Sequence, residues 1–530
     1  MNRILKVLNV ILGLLAILII FGLGYQTGQR YDIAVDENDK YVAISYSVNE
    51  QKMRRLMSLI DNQYIENINT DSLVDNTINF VMSNLDPHSV YLEKKLSRDM
   101  EREMKGYYVG IGIQYVIYND TMIITHVDKQ SPNKSFFKLS DRVLSVNDSV
   151  VTGKAVSRAA DLIQGEINSD VQIKIIRDGE KRTINARRSV IPRASVSESY
   201  MLTNQLGYIK LRRFGENTYL EFKTALLKLK HQGMNALVLD LRGNPGGLMS
   251  SAERIADEFL GSDQLIVFTQ DADGKKAYRY ATNKGEFDGQ QLYVLIDEGS
   301  ASASEIIAGA VQDNDAGTII GRRSYGKGLV QREISLGDGS KLRLTTAKYY
   351  TPTGRSIQKP YSNGIEQYNS DITKRYLSGE MFTKDSIKIP DSLMFKTPKG
   401  KIVYGGGGII PDVFIPIDSM GYGRWFYEQT HNDLFNIQIF NHIEKNHESL
   451  QKILEEHFIS YYKTDELALK MLTDIGLSPE QLDEKEMINF NNFIKAGMAR
   501  FLYGQTAYDK VWSRNDPMIL KAIELNNSGK

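Results

Sequence analysis

The sequence contains no cysteine. Disulfides, thiolate nucleophiles, thiolate zinc sites and iron–sulfur clusters are thereby excluded, so any covalent catalysis must use another nucleophile. Nor is there a surplus of charge: 65 Lys and Arg stand against 65 Asp and Glu in 530 residues. A nucleic-acid binder needs a basic excess to neutralise phosphates, and that class is set aside. Histidine is scarce, with seven in the chain. None falls in H-E-x-x-H spacing, and His442 and His447 do not share a helix face. His88, His126 and His231 are scattered among other segments, and the histidines read mostly as surface or packing residues. Internal repeats are absent. What is present is 42 % hydrophobic content, enough for a core in each of about three or four domains at this length.

From Val7 to Tyr25 the chain is uncharged and nearly all apolar, with Asn9 the strongly polar exception and Arg3 and Lys6 in front. Such a stretch can span the ~30 Å hydrocarbon core as a helix, and the preceding positive charges hold the N-terminus on the cytoplasmic side. No A-x-A-like site follows, so an uncleaved membrane anchor is expected rather than a signal peptide. The remainder is then placed outside the cytoplasm, on the periplasmic side of the inner membrane if the cell is Gram-negative. A lipoprotein is excluded for want of a cysteine to acylate.

Beyond the anchor (1–25), the pattern predicts a multidomain α+β protein. Residues 26–105 read as helices, with Asp71 capping a segment whose Val74, Ile78, Val81 and Leu85 recur at helical spacing. Residues 106–190 are short β-rich runs interrupted by one amphipathic helix bearing Ala159, Leu162, Ile163 and Ile167. Over 191–416 strands alternate with helices, as in an α/β core; Leu237–Leu241 and Leu292–Ile296 are apolar enough to be buried on both faces. Residues 361–400 read as an irregular insertion, and Ile409–Pro416 as a return to the core. The region 417–530 is helical again, with Leu450, Ile453, Leu454 and Phe458 on one face.

Three segments carry chemistry. Asp297–Glu305 lies between a buried strand and an expected helix Ala303–Asp313, so a serine there sits on a strand-to-helix turn beside the free N–H groups of a helix start. Ser302 and Glu305 equally form an S-x-x-E capping box, which needs no catalysis to explain it. A nucleophilic serine needs a base. Gly321–Gln331 offers Lys327 between glycines, followed by an expected strand; burial would lower its pKa and let it accept a proton. The start of that segment fits G-x-x-x-x-G-K, but Gly328 stands where a nucleotide-binding loop has Ser or Thr, and no helix follows. The third segment, Leu237–Gly247, is a strand running into Pro245-Gly246-Gly247, whose backbone N–H groups can approach a ligand closely, although Pro-Gly-Gly is also ordinary turn chemistry.

Taken together, Leu85-Asp86-Pro87-His88-Ser89, Gly110-Ile111-Gly112-Ile113, Asp240–Gly247, Gly299–Glu305, Gly326–Gln331 and Thr346–Pro352 resemble the carboxyl-terminal processing (tail-specific) proteases, serine peptidases with a Ser/Lys dyad and a PDZ domain. The resemblance runs from about Leu85 to Pro416. It implies Ser302 as nucleophile, Lys327 as base and Gln331 as the residue that orients Lys327. The implied oxyanion donors are the backbone N–H groups of Ala303 and of Gly247, with Gly246 left as the alternative. The β-rich module is then the PDZ domain, with Gly110, Ile111, Gly112 and Ile113 as the loop that holds a peptide C-terminus. Arg177 is implied as a sensor linking that domain to the active site. The expected activity is a membrane-anchored endopeptidase acting on proteins or peptides with free C-termini, without metal or organic cofactor. The rival readings are a non-catalytic PDZ scaffold and, more distantly, a nucleotide-binding protein. The regions 361–400 and 417–530 could serve homo-oligomerisation, substrate caging or an adaptor protein.

Overall fold

A strand that is apolar on both sides must be covered on both faces, and that demand organises the larger part of the molecule. The computed structural model describes residues 31–35, 41–45, 47–118, 120–128, 130–417 and 433–529. Two compact units are present, one ending at Asn84 and the other spanning Leu85–Lys530. The expected membrane segment Val7–Tyr25 lies outside the described residues, among which no helix is long and apolar enough to cross a membrane.

In the first unit β1 (Tyr31–Val35) pairs antiparallel with β2 (Tyr41–Ser45), before α1 (Val48–Gln63) and α2 (Thr70–Ser83). The expectation of helix throughout 26–105 is corrected here. Ile33, Val35, Val42 and Ile44 are β-branched residues at alternate positions, a pattern that favours strands. Asn69 rather than Asp71 caps α2, its Oδ1 accepting the Ser72 N–H at 3.0 Å, because Asp71 already lies inside the first turn. Val74 and Val81 are exposed, and Leu85 falls beyond the helix end.

The second unit opens with another departure from helix: after Asp86-Pro87, β3 (Val90–Leu92) joins a distant sheet, followed by α3 (Lys94–Met104) and β4 (Tyr107–Gly110). The β-rich module comprises β5 (Ile113–Tyr118), β6 (Thr121–Val127), β7 (Arg142–Val146), β8 (Ser149–Val150), α4 (Ala159–Ile163), β9 (Asp170–Arg177) and β10 (Glu180–Arg187), with sheet order β10-β9-β7-β6-β5 and β8 on β7. Its core includes Ile111, Ile124, Val143, Ala159, Ile163 and Ile173. α4 is shorter than its sequence pattern: Gln164 ends it, and Ile167 is exposed in the turn that follows. β11 (Ser189–Pro192) closes the module by pairing with β4.

The core sheet then assembles from β12 (Val196–Met201), β13 (Leu206–Leu211), α5 (Thr218–His231), β14 (Ala236–Asp240), α6 (Met249–Ala256), β15 (Leu265–Asp271), β16 (Lys276–Tyr280), β17 (Gln291–Ile296), α7 (Ala303–Asp313) and β18 (Thr318–Gly321). Its order is β12-β13-β14-β17-β18, with all but β12 parallel. A second, antiparallel sheet runs β16-β15-β20-β19, built with β19 (Leu329–Ser335) and β20 (Lys341–Tyr350), and β3 pairs with β20. Lys327 thus leads into a strand, as the sequence predicts, and the nucleotide-loop reading loses its helix. The stretch 361–400 is more ordered than its composition suggests, holding α8 (Ile365–Asn369), α9 (Asp371–Leu377) and β21 (Met394–Lys396), which pairs with β22 (Ile402–Tyr404). β23 (Val413–Phe414) returns to the core sheet beside β18.

The C-terminal helices are α10 (Asp433–Lys445), α11 (His447–Leu450), α12 (Glu455–Tyr461), α13 (Asp465–Asp474), α14 (Glu484–Tyr503), α15 (Gln505–Ser513) and α16 (Pro517–Asn527). The expected stripe through Leu450 to Phe458 is broken, since Leu454 is the exposed N-cap of α12. Ile123 and Val116 of the PDZ-like sheet pack into the same core as Phe440, Phe490 and Phe501, so these helices grip that module. α16 does something different. Its Met518, Ile519 and Ala522 cover Tyr208, Val238 and Tyr293 on one face of the core sheet, while α5, α6 and α7 cover the other.

Candidate active site

Parallel strands flanked by helices present their loops at the carboxyl ends of the strands, and there the three chemically interesting segments converge. Ser302 follows β17 and begins α7 with φ 55°, ψ −112°, a left-handed conformation that a non-glycine residue adopts at a cost of roughly 1–3 kcal/mol. The helix Ala303–Asp313 begins where the sequence places it. The capping contact also forms, with Glu305 Oε2 accepting the Ser302 N–H at 2.8 Å. Cap and strand-to-helix turn therefore coexist, with Ser302 half-buried between the buried Ala301 and Ala303. Flanking serines are spent elsewhere: Ser300 Oγ donates to Leu241 O at 2.8 Å and Ser304 Oγ to Asn244 O at 2.9 Å.

The glycine loop lies against this turn. A Cβ on Gly246 would stand 2.8 Å from Ser302 Cβ and 3.0 Å from the Ala303 nitrogen, so a side chain cannot be accommodated. The Gly246 N–H is used up by Asn244 Oδ1 at 2.9 Å. Phe214 clamps the next residue from one side, donating to Gly246 O and accepting from the Leu248 N–H. Neither the Gly247 nor the Ala303 N–H has a hydrogen-bond acceptor among the described residues. Two donors are thus left available beside Ser302, which favours Gly247 over Gly246 as the partner of Ala303 in binding an oxyanion.

Lys327 sits immediately before β19. Its pKa is pushed down to about 8, by burial first and then by the positive charge of Arg343, while Glu305 and Asp86 act in the opposite direction. At about pH 7.4 that leaves about a fifth of the side chain neutral, against about one in a thousand at the ordinary value. Gln331 lies four residues on. Its Nε2 is 3.2 Å from Thr345 Oγ1, and no Gln331–Lys327 hydrogen bond occurs among the described contacts.

Several groups at this site have no catalytic role that the sequence announces. Glu305, fully buried, accepts from the N–H groups of Ser302, Gly326 and Lys327 and from Ser324 Oγ, at 2.5–2.9 Å. The Tyr349 hydroxyl lies 2.7 Å from Lys327 O and 3.1 Å from Ser302 O. One carboxylate therefore holds the N–H groups of both residues, and one phenol their carbonyls. The glutamate was visible as a cap and Tyr349 as part of a motif, but their shared partners come only from the folded chain. His88 is also here: its Nε2 is 2.6 Å from Tyr368 OH, and burial together with the charge of Lys327 pushes its pKa down to about 4, so it is neutral. The 361–400 stretch braces the lysine loop, with Arg375 donating to Ser324 O at 2.7 Å and Glu380 paired with Arg323 at 2.5 Å.

In the PDZ-like module the Ile111 carbonyl accepts from Ser131 Oγ and Asn133 Nδ2, whereas the Ile111 and Gly112 N–H groups find no acceptor among the described residues. Gly110 ends β4 and Ile113 begins β5, the edge strand of the sheet. A loop of free N–H groups beside an open strand edge suits capture of a terminal carboxylate and strand addition. Gly112 has φ +75° and a Cβ there would come 2.4 Å from Ser131 Cβ, so any side chain is excluded on steric grounds alone. Arg177 is bound within the module by Asp141, at 2.6 Å, and by Phe136 O.

Residues 205–368 match the sequence model of peptidase family S41, and residues 109–187 that of the PDZ domain. Over 345 residues the chain is 34 % identical to the carboxy-terminal processing protease CtpB of Bacillus subtilis, covering 64 % of this chain and 71 % of that one. Over 304 residues it is 34 % identical to the carboxy-terminal-processing protease of Bartonella bacilliformis, covering 56 % and 69 %. Among solved structures it is similar to the photosystem II D1 C-terminal processing protease at 24 % identity, covering 69 % of this chain and 86 % of that one, with a TM-score of 0.38, too loose to add weight. On the strength of the two sequence relatives, the chain belongs to the carboxy-terminal processing proteases of peptidase family S41, serine proteases with a PDZ domain.

Proposed function

We propose that the protein is an endopeptidase that takes a free C-terminal tail into its PDZ domain and cleaves upstream with a Ser302/Lys327 dyad. The observation that carries this reading is the juxtaposition of Ser302, on a strained turn, with two unclaimed N–H groups and a lysine whose pKa lies near working pH. Neutral Lys327 accepts the Ser302 hydroxyl proton as Oγ bonds to the scissile carbonyl carbon. The carbonyl oxygen becomes an oxyanion held by the Ala303 and Gly247 N–H groups. Lys327 then gives its proton to the departing amine, leaving an acyl-enzyme. Water completes the cycle, passing a proton to Lys327 as it attacks the ester, and the dyad is restored when that proton returns to Ser302.

Tail selection belongs to Gly110–Ile113, where backbone N–H groups meet the terminal carboxylate. Residues 7–25 anchor the chain in a membrane, with the catalytic part outside the cytoplasm, a reading supported by the uncharged run behind Arg3 and Lys6. The test is cleavage of a fluorogenic peptide with a free C-terminal tail. Ser302→Ala, Lys327→Ala and Lys327→Arg are each expected to abolish turnover without unfolding by circular dichroism, since arginine cannot deprotonate. Substantial turnover by Lys327→Arg sinks the dyad. Equal turnover of free-acid and amidated tails removes the PDZ domain from substrate selection, and release of the full-length chain by sodium carbonate sinks the anchor.

A further inference from the structure

A glutamine can orient a lysine base only if something decides which end of its amide faces the lysine, because oxygen and NH₂ are alike in shape and opposite in function. The contacts around Gln331 supply that decision. Thr345 Oγ1 lies 2.9 Å from Asp86 Oδ1 and 3.2 Å from Gln331 Nε2. A carboxylate only accepts, so the single hydroxyl proton of Thr345 goes to Asp86, and the hydroxyl oxygen can only accept from Gln331. The NH₂ of Gln331 is thereby committed to Thr345, and its carbonyl oxygen is the end left free.

Asp86 is itself immobilised. It accepts from Ser89 Oγ at 2.5 Å, the His88 N–H at 2.9 Å and the Ser89 N–H at 3.2 Å. Ser89 Oγ in turn accepts the Thr345 N–H at 3.0 Å, so backbone and hydroxyl of Thr345 are both tied to the Asp86–Ser89 pair. Burial alone would raise the Asp86 pKa, but the hydrogen bonds from Ser89, His88 and Thr345 outweigh it and hold the group below the ordinary carboxylate value. It is therefore charged and accepting throughout the working range.

Resting on the dyad reading above, we propose that Asp86 and Thr345 are positioning residues for the lysine base. Asp86 polarises the Thr345 hydroxyl, the hydroxyl fixes the Gln331 amide, and the amide oxygen takes one N–H of neutral Lys327 so that its lone pair turns to Ser302. The segment before β3 is thus part of the protease active site, although nearly 220 residues of chain, the PDZ domain among them, separate it from Ser302.

The charges facing Lys327 are Arg343 on β20, Glu305 on α7 and Asp86, with His88 neutral nearby. Removing the Asp86 charge therefore lowers the lysine pKa, so the acid limb of the rate profile moves to lower pH. The experiment measures kcat, KM and the pH profile of the full-length protein on a fluorogenic tail peptide. Thr345→Val, close to isosteric, is expected to lose about ten- to a hundredfold in kcat with KM within about twofold, and Thr345→Ser to recover most of it. Asp86→Asn, the independent second variant, is expected to lose kcat and to shift the limb downward. Full activity in Thr345→Val, equal loss in Thr345→Ser, or an unmoved limb in Asp86→Asn overturns the proposal. Activity in Ser302→Ala overturns the dyad reading instead, so the two failures are told apart.

Discussion

The turn bearing Ser302 is set by its own backbone, whereas Lys327 takes its chemistry from neighbours distant in the chain. Ser302 needs a buried strand, a tight left-handed residue and a helix start, all supplied by residues 291–313. The basicity of Lys327 depends on burial, on Arg343, on Glu305 and on Asp86, contributed by three different parts of the fold. In the proposed dyad, then, the nucleophile is a matter of local geometry and the base a matter of field. The two meet at Glu305 and Tyr349, which fasten the main chains of both residues together.

Glu305 is the place to break the comparison, because it belongs to both sides. Burial pushes its pKa up, while the Ser324 hydroxyl and three backbone N–H groups donate to it and act in the opposite direction, each hydrogen bond favouring the ionised carboxylate. Glu305→Gln would set an NH₂ group against N–H and O–H donors. The expected result is a fall in kcat of at least about a thousandfold, together with a lowered melting temperature, since breaking a buried charged network costs several kcal/mol, about 3–5. Turnover within about tenfold of the intact enzyme would mean that the two loops are held in place without it.

The same contrast explains what could be read in advance. The α/β core, the strand into Lys327 and the helix Ala303–Asp313 follow from apolar runs and turn residues, which act over short distances. Asp86, Thr345, Arg343 and Tyr349 could not be assigned roles, because β3 reaches the active site only by pairing with β20, a contact that no periodicity announces. Ile167 and Leu454 depart from the pattern for the opposite reason: spacing alone continues a helix that ends at the Gln164 cap in one case and begins only after the Leu454 cap in the other. The strands at 31–35 and 41–45 are hard to read for a third reason, since short β-branched alternation is outweighed by helical neighbours.

Arg343 sharpens the field side of the comparison. Its charge depresses the Lys327 pKa, so replacing it with methionine should raise that pKa from about 8. Because the proposed dyad needs the neutral amine, the rising limb of the rate profile should move to higher pH, by about half to one unit. Activity near neutrality should fall and return at alkaline pH, opposite in direction to Asp86→Asn. An unchanged limb in Arg343→Met would mean that Arg343 takes no part in setting the lysine.

The smallest effect expected tests the geometric side. Ser304 is two residues from Ser302 and completely buried, with its hydroxyl donating to Asn244 O. That carbonyl also accepts the Ala301 N–H at 3.0 Å, so Ser304→Ala leaves no acceptor stranded. The loss is one hydrogen bond, worth about 1 kcal/mol. In a protein of this size that should lower the melting temperature by no more than about 4 °C and leave kcat within about twofold. If the turn assigns its serines by backbone conformation, Ser302 with its positive φ is indispensable and Ser304, inside the helix, is not. Inactivity of a folded Ser304→Ala, equal to that of Ser302→Ala, would show that the turn presents a different hydroxyl to the substrate.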